Sequence, residues 1–339
     1  MTEFRRDPIT DRWVIVVPGR AARPNEHAAG APSTAAAVDC PFCEGNETRT
    51  PPEVAALGAP GRLENGPGWY VRTIPNRFPT VLEAPPEPDP ATAGQGFETR
   101  RGFGYHEVVI ESPAHSPLLP FLPVEQVTRV LRMCRDRVRA LSERDGVGSV
   151  TLFENTGPES GGSLWHPHSQ LVATAGLSPA LAEELAGADR YRRQRGVPCA
   201  FEDIAGFERA ARARVLFETP EFLAYAPFAS AYPYEVRLHP IRHAPSYAHA
   251  TERELEALAD RLPGLLRALL TVIPGASYNL VLQSPVGASP GAREYHWHLD
   301  LYPRLVRPDG FDLGSGFHVN TVSPEGAAEL LRAALGAKL

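Results

Sequence analysis

The sequence predicts an α+β fold in which two related halves build one extended antiparallel sheet, or half-barrel, with helices on one side. Two observations lead to this prediction. Short apolar runs with strand character alternate with long helical patterns, and the order of these elements repeats along the chain. In addition, no Gly-x-Gly-x-x-Gly motif follows any predicted strand, which argues against a dinucleotide-binding domain.

The repeat relates residues 1–195 to residues 196–339, with an offset of 128 to 130 residues, and we predict two similar halves with these bounds. Four features recur in one order: a Glu, a His eight residues later, a strand that begins with Ser, and a His-x-His pair. They are Glu107 and Glu235, His115 and His243, Ser149 and Ser277, and His166-Pro167-His168 and His296-Trp297-His298. Four matches in one order indicate a duplicated strand–helix–strand unit.

The individual elements follow from hydrophobic periodicity and from the positions of Pro and Gly. Strands are predicted at 13–17, 69–74, 105–110 and 150–153. A helix of about twenty residues begins at Val124, and a second helix covers residues 252–270. Residues 27–38 and 83–101 are rich in Ala, Pro and Gly and are predicted to be loops.

The composition is that of a globular protein, with 43% hydrophobic and 22% charged residues in a chain of 339. A net charge of −6 provides no basic surface, so a nucleic-acid partner is not expected. No apolar run approaches about 18 residues, and no signal-peptide core is present. We therefore expect a cytoplasmic protein with no membrane partner.

Lysine and cysteine usage narrows the function further. The only lysine is Lys338, which excludes phosphate-loop NTPases, lysine-adenylating ligases and Schiff-base enzymes, because each needs a lysine within the fold. Four cysteines in a chain of this length are not a disulfide framework. Cys134 lies in a helical apolar pattern and is predicted to be in the core, while Cys199 has no evident partner.

Cys40 and Cys43 have the spacing of a metal site or of a redox pair. A redox pair belongs at a helix N-terminus in a βαβ unit, and Pro41-Phe42 after a low-complexity loop does not fit that setting. His115, in a turn after a strand, and His166 could complete the ligand set. The sequence therefore predicts a structural zinc ion bound by two Cys and two His.

The segment Ser149–Leu171 carries the candidate reactive groups. His166 and His168 lie two residues apart on a segment predicted to be extended, so both rings should point to one face, roughly 6–7 Å apart. A lone His is more often structural, but this pair follows a loop of Gly and Ser whose backbone N–H groups suit a phosphate. These surroundings favour a reactive site over a structural pair.

If a metal ion holds His166, then His168 is the imidazole that can attack a phosphate and form a phosphoramidate. Gln170 can donate a hydrogen bond but no proton, so leaving groups that depart as anions are favoured, such as a sugar phosphate. Transfer between two phosphates therefore fits better than hydrolysis. The expected donors to the phosphate oxygens are Ser163, Gly161 and Gly162.

Five segments in combination resemble the galactose-1-phosphate uridylyltransferase family, the transferase branch of the histidine-triad superfamily. They are residues 8–24, CPFC at 40–43, SPAHS at 112–116, the 153–170 stretch that ends in HPHSQ, and residues 296–305. The resemblance spans nearly the whole chain and implies two tandem histidine-triad-like repeats. It also implies a homodimer with an active site completed across the interface, and ping-pong exchange between UDP-glucose and galactose 1-phosphate.

The resemblance assigns roles to individual residues. It implies that His168 carries the nucleotidyl group and that Gln170 stabilises the transferred phosphoryl oxygens. The further implied contacts are Ser163 and Asn155 with the phosphates, and Arg20, Arg23 and Asn76 with the nucleotide. The substrates would be a nucleotide sugar and a sugar 1-phosphate.

Three positions depart from the family pattern. Arg77, a further candidate for substrate binding, replaces an Asp that contacts the ribose in well-studied members, so the base preference stays open. Glu184 and His298 match two ligands of a second metal found in some members, but Asp300 replaces a third and the fourth has no counterpart, so no second metal is expected. Ser315-Gly316 replaces the residues that contact the hexose, which leaves the sugar open as well.

Two alternative functions remain open. In the first, inorganic phosphate attacks the same intermediate, as in a phosphorylase of nucleoside diphosphate sugars such as ADP-glucose or of dinucleoside polyphosphates. In the second, the chain binds a nucleotide without catalysis.

Overall fold

Two antiparallel sheets and several helices make up the part of the chain that the computed structural model describes, namely residues 3–6, 13–16, 39–85, 96–287, 289, 291–305, 310–315 and 320–336. In chain order the strands are β1 (Glu3–Arg6), β2 (Trp13–Val16), β3 (Ala55–Gly58), β4 (Trp69–Pro75), β5 (Glu98–Arg101), β6 (Gly104–Ile110), β7 (Ser149–Thr156), β8 (His168–Thr174), β9 (Val215–Glu218), β10 (Phe222–Tyr225), β11 (Val236–Pro240), β12 (Tyr278–Pro285) and β13 (Leu299–Pro303).

The helices follow and separate these strands. They are α1 (Val124–Ser142), α2 (Pro179–Arg195), α3 (Ala200–Ala211), α4 (Glu252–Val272), α5 (Gly310–Ser315) and α6 (Pro324–Leu335). The predicted helices at Val124 and Glu252 are confirmed as α1 and α4. Within the described ranges, no helix combines the length and the apolar character that crossing a bilayer requires.

Ten strands form one sheet in the order β3-β4-β6-β8-β7-β12-β13-β11-β10-β9. Read from its two edges, this order pairs β3 with β9, β4 with β10, β6 with β11, β8 with β13 and β7 with β12. The halves meet at β7 and β12, whose antiparallel register runs from Thr156 opposite Tyr278 to Ser149 opposite Pro285. The predicted repeat and α+β fold are therefore visible as one sheet to which each half adds five strands.

The two faces of the sheet have different surroundings, and successive side chains of a strand point to opposite faces. On β7, Val150 and Leu152 are buried in the apolar core that also contains residues of α1 and α4. Phe153 and Asn155 point to the other face and are half-exposed. At β7 the helices thus cover one face, and the opposite face is partly open to solvent.

Helix α4 shows how the sequence fixes the covered face. It begins at a capping box, in which Thr251 accepts from the backbone N–H of Glu254, and the side chain of Glu254 accepts from the backbone N–H of Thr251. Its apolar residues recur every three or four positions and are buried: Leu255, Leu258, Leu262, Leu265 and Leu269. This stripe packs α4 into the apolar core, mainly against α1 and α6.

The smaller sheet has the order β2-β1-β5 and corrects one prediction. Residues 98–101 were predicted to be loop, but they form β5 and pair with β1, with Glu3 opposite Arg101. The segment Glu-Thr-Arg-Arg has no apolar alternation, so its pairing with a distant strand leaves no local signal. The predicted loop at 27–38 lies outside the described residues.

Candidate active site and metal centre

The structure brings together the four residues predicted to bind zinc. Sγ of Cys43 lies 3.6 Å from Nδ1 of both His115 and His166, and Sγ of Cys40 lies 3.6 Å from Nδ1 of His166. All four potential ligand atoms lie within 4.8 Å of one another. A tetrahedral zinc ion with bonds of about 2.3 Å to sulfur and 2.0 Å to nitrogen holds such atoms roughly 3.5 Å apart. The geometry therefore fits a zinc ion.

The protonation of this group also suits a metal. Nε2 of His166 lies 2.7 Å from the carbonyl oxygen of Ser112, to which it donates, so Nδ1 is the nitrogen left for a ligand bond. Burial lowers the pKa of His166 to about 3, which keeps the ring neutral. Burial also raises the pKa of Cys40 to about 12, so a bound cation is what would stabilise its thiolate.

His168 is the first residue of β8 and is joined to the metal group through its backbone. Its Nδ1 lies 2.7 Å from the carbonyl oxygen of His166. Because a carbonyl only accepts, Nδ1 carries a proton, and in the neutral form of the ring the lone pair is then on Nε2. Phe42 packs against both imidazoles, with ring centroids 5.4 Å from His168 and 5.9 Å from His166. The extended strand begins at His168, so His166 lies just outside it.

His168 borders a small cavity. The side chain is 7% exposed and lines a small cavity with Asn155, Gly157 and Trp165. Gly161, Gly162 and Ser163 lie in the loop that connects β7 to β8 and precedes the histidine pair. His168 is therefore buried but not enclosed by apolar packing alone.

Asn155 links the two halves at this edge of the site. Its Oδ1 accepts a hydrogen bond of 2.7 Å from Nδ2 of Asn279 on β12, the equivalent strand of the second half. Nδ2 of Asn279 also donates to the carbonyl oxygen of Ser160, at 2.9 Å. These bonds hold the loop between β7 and β8 against the second half.

The structure places only some of the residues predicted to contact the nucleotide near the site. Nδ2 of Asn76 lies 3.3 Å from Oε1 of Gln170, so these two residues are brought together. Arg77 is exposed, with its guanidinium 5.9 Å from the ring centroid of Phe78. Arg20 and Arg23 lie outside the described residues.

The structure adds His106, which the sequence reasoning missed. It lies on β6, is buried, and has Nε2 3.0 Å from Oε1 of Gln170. The signal that could have identified it is strand periodicity, because His106 and Ile110 lie on the same face of β6 and Ile110 is the cross-strand neighbour of His168.

The second half places different groups at His298, the repeat equivalent of His168. Nε2 of His298 lies 3.3 Å from Glu184 and 3.5 Å from Asp300. Arg237 donates to both carboxylate oxygens of Asp300, at 2.8 and 2.9 Å, and lies 3.6 Å from Glu184. Burial raises the pKa of Asp300, but the charges of Arg237 and His298, together with the hydrogen bonds from Arg237 and Tyr302, bring the pKa below its ordinary value. A guanidinium thus supplies the positive charge for these two carboxylates.

A second group of possible metal ligands corrects the prediction that Cys199 has no partner. Cys199, Glu202, His243 and His296 have ligand atoms within 4.8 Å of one another. His243 and His296 are the repeat equivalents of His115 and His166. The spacing Cys199-x-x-Glu202 matches that of the Cys40 pair, and an acidic residue in place of the second Cys concealed the signal.

A pair of carboxyl groups lies on the helix-covered side of the sheet, behind the histidine strand. Glu111 accepts a hydrogen bond of 2.5 Å from Ser169, and Glu154 accepts one of 2.7 Å from Thr156. The Oε2 atoms of both Glu residues have no hydrogen-bond partner among the described residues. Burial raises the pKa of Glu154 to about 7, and burial followed by the charge of Glu154 raises that of Glu111 well above its ordinary value.

Sequence comparisons agree with this geometry. A family model described as galactose-1-phosphate uridyl transferase, N-terminal domain, matches residues 1–177. An ADP-glucose phosphorylase of Arabidopsis thaliana is 30% identical over 97% of this chain and 92% of its own length. A galactose-1-phosphate uridylyltransferase of Thermotoga maritima is 30% identical over 98% of each protein.

Solved structures give the same two kinds of relative. A uridylyltransferase structure superposes with a TM-score of 0.80 at 30% identity, over 98% of both chains. The ADP-glucose phosphorylase of Arabidopsis thaliana with bound ADP-glucose superposes with a TM-score of 0.75, also at 30% identity and over 98% of both chains.

Proposed function

Because the chain belongs to the galactose-1-phosphate uridylyltransferase family, we propose that it transfers a nucleoside monophosphate between two phosphate compounds through a covalent bond to His168. One observation carries the proposal: the carbonyl oxygen of His166, 2.7 Å from Nδ1 of His168, fixes the proton there and leaves Nε2 as the nucleophile.

The reaction balances in two displacements. In the first, Nε2 of His168 attacks the phosphorus that bears the nucleoside, an N–P bond forms, and the bond to the sugar 1-phosphate breaks with its electron pair. In the second, an oxygen of the acceptor phosphate attacks the same phosphorus, and the N–P bond breaks with its electron pair returning to Nε2. Neither step needs a proton donor, because the sugar 1-phosphate leaves as a stable anion and the imidazole nitrogen simply regains its lone pair. An amide at position 170 suits this chemistry.

The remaining predicted site residues bind the substrates in this proposal. Gln170 donates to a non-bridging oxygen of the transferred phosphate, and N–H groups of the loop before His166 assist. The expected contacts with the phosphates are Ser163, Gly161, Gly162 and Asn155, and those with the nucleotide are Arg20, Arg23, Asn76 and Arg77.

The leading substrates are UDP-glucose and galactose 1-phosphate, which would yield glucose 1-phosphate and UDP-galactose. The Thermotoga maritima relative, a galactose-1-phosphate uridylyltransferase matched over its whole length, supports this choice. The second candidate is phosphorolysis of ADP-glucose by inorganic phosphate. The equally similar Arabidopsis thaliana enzyme supports it, as does Arg77 in place of the acidic residue expected near the ribose.

Zinc has a structural role in this proposal. Bound to Cys40, Cys43, His115 and His166, it would hold the carbonyl oxygen of His166 in place and thereby the proton of His168. The face of the sheet that carries His168 and Gln170 would form the active site of a cytoplasmic homodimer.

A matrix of donors and acceptors tests the substrate choice. The purified protein is mixed separately with UDP-glucose, ADP-glucose and GDP-glucose, each with galactose 1-phosphate, with inorganic phosphate, or alone, and glucose 1-phosphate is measured. We expect UDP-glucose alone to release one equivalent of glucose 1-phosphate per active site. We expect catalytic release only when UDP-glucose is combined with galactose 1-phosphate. Catalytic release from ADP-glucose with inorganic phosphate identifies the phosphorylase instead.

Two controls make the matrix decisive. His168→Ala must abolish release under every condition, while Glu256→Gln, an exposed change on α4, must leave it unchanged. No release from any donor would reject catalysis and favour a protein that binds nucleotides without transferring them.

A further inference from the structure

His106 is held between a backbone amide and a side-chain amide. Its Nδ1 lies 3.0 Å from the backbone nitrogen of Thr80, and its Nε2 lies 3.0 Å from Oε1 of Gln170. The ring is buried, with 5% of its surface exposed. Both ring nitrogens therefore face groups with a defined position.

The backbone partner determines which nitrogen carries the proton. A backbone N–H can only donate, so Nδ1 of His106 is the acceptor. A neutral imidazole then has its proton on Nε2, and this N–H donates to Oε1 of Gln170. The other tautomer would oppose two donors at Thr80, and a doubly protonated ring would do the same.

Asn76 reinforces this orientation. Its Oδ1 accepts a hydrogen bond of 2.8 Å from the backbone N–H of Phe78, so its Nδ2 is the end that points to Gln170, 3.3 Å from Oε1. Nδ2 of Asn76 also lies 3.0 Å from Nε2 of His106, and both nitrogens reach the same oxygen of Gln170. The amide of Gln170 therefore has one favourable orientation, with its oxygen toward these donors and its NH₂ away from them.

We propose that His106 is a positioning residue, which turns the NH₂ of Gln170 toward the phosphate carried by His168. This inference rests on the proposed function. Gln170 and His168 lie two residues apart on β8, so their side chains share one face of the sheet. A rotated amide would present its carbonyl oxygen to the negatively charged phosphate and lose the stabilising hydrogen bond.

A double-mutant cycle tests this role. We measure the single-turnover rate of nucleotidyl-enzyme formation for His106→Leu, Gln170→Ala and the double variant. His106→Leu should lower the rate about tenfold and change KM by less than about twofold, because it removes orientation and no substrate contact. In the Gln170→Ala background the same change should cost less than about twofold. An equal loss in both backgrounds would overturn the proposal.

Two further variants separate orientation from packing. Gln at position 106 can place an N–H near the position of Nε2, so His106→Gln should recover most of the lost rate. Val172→Ala removes packing from the cross-strand neighbour of His106 but no hydrogen bond, and should leave the rate within about twofold. No recovery with Gln, or a loss with Val172→Ala as large as that of His106→Leu, would contradict the inference.

The tautomer itself provides a readout that needs no substrate. In protein labelled with ¹⁵N-histidine, the spectrum of His106 should show a proton on Nε2 and none on Nδ1, with assignment from the His106→Gln variant. A proton on Nδ1 overturns the inference whatever the activity. If the wild-type protein forms no nucleotidyl-enzyme with any donor, the proposed function has failed, and a correct tautomer would show that failure to be separate from the hydrogen-bond argument.

Discussion

The buried carboxyl pair behind the histidine strand predicts that the protein loses stability as the pH rises through 7. Glu154 is 4% exposed, and its pKa is raised from 4.5 to about 7 by burial. A group whose pKa is higher in the folded state binds its proton more tightly there. Its contribution is therefore complete below the unfolded pKa, near 4.5, and disappears as the pH passes about 7.

The magnitude follows from this rise. At about 1.4 kcal/mol per pKa unit, Glu154 contributes about 3 kcal/mol at low pH, of which about 2 kcal/mol is lost between pH 5.5 and 8.5. Glu111 adds to the effect in the same direction, because its pKa is also raised and the two groups titrate as a pair. Glu154→Gln keeps the size and polarity of the side chain and removes its titration.

The assay is urea unfolding at pH 5.5, 7.0 and 8.5, at fixed protein and zinc concentrations, for wild type, Glu154→Gln and the exposed control Glu256→Gln. Relative to wild type, Glu154→Gln should gain about 2 kcal/mol in free energy of unfolding from pH 5.5 to 8.5. The control should follow wild type throughout. If the difference between Glu154→Gln and wild type is the same at all three pH values, the reasoning about the buried pair is refuted.

Three further changes test other parts of the structure. His166→Ala should remove one equivalent of zinc per chain, measured by plasma mass spectrometry, and lower the melting temperature. His296→Ala should keep the zinc bound to Cys40, Cys43, His115 and His166, so any metal that this variant loses comes from the group of Cys199, Glu202, His243 and His296. Loss of the first zinc in His296→Ala would contradict the assignment. Gly104→Ala should lower the free energy of unfolding by about 2–4 kcal/mol in urea, because Gly104 has φ +157° and a Cβ there would lie 2.1 Å from the carbonyl oxygen of Ala173. Gly176→Ala is the matched control, since a Cβ at Gly176 would meet no atom within 4 Å. Equal losses in the two variants would refute the clash. Arg237→Met leaves Glu184 and Asp300 without their cation and should cost about 3–5 kcal/mol in the same assay, part of which Asp300→Asn should restore; no restoration would mean that the ion pair is not the cause.

Much of the fold could be predicted because the hydrophobic periodicity of single segments indicates their secondary structure. The helix from Val124 and the strand that ends at Ile110 have clear apolar periodicity, and both were confirmed within a residue or two. The prediction of a loop at residues 98–101 was wrong because Glu98–Arg101 is polar and forms a strand only by pairing with β1, about ninety residues away in the chain. Pairing between distant segments leaves no trace in local propensity.

The site divides in the same way. Cys40 and Cys43 were recognisable as candidate metal ligands because their spacing is that of many zinc sites, and His166 because it is the first member of the His-x-His pair. Glu202 was missed because a carboxylate near a lone Cys is common by chance. His106 was missed because its importance depends on a contact with Gln170, 64 residues away, that exists only in the folded sheet.

The proposed function depends on a covalent bond between a nucleoside monophosphate and His168, and one measurement tests this bond directly. The protein is incubated with UDP-glucose or ADP-glucose without acceptor, quenched, digested at a pH that preserves phosphoramidates, and the peptides are mapped by mass spectrometry. We expect a mass increase of one nucleoside monophosphate on the peptide that contains His168, localised to that ring and absent in His168→Ala. A nucleotide bound covalently at any other residue, or turnover with no modified peptide, would contradict it.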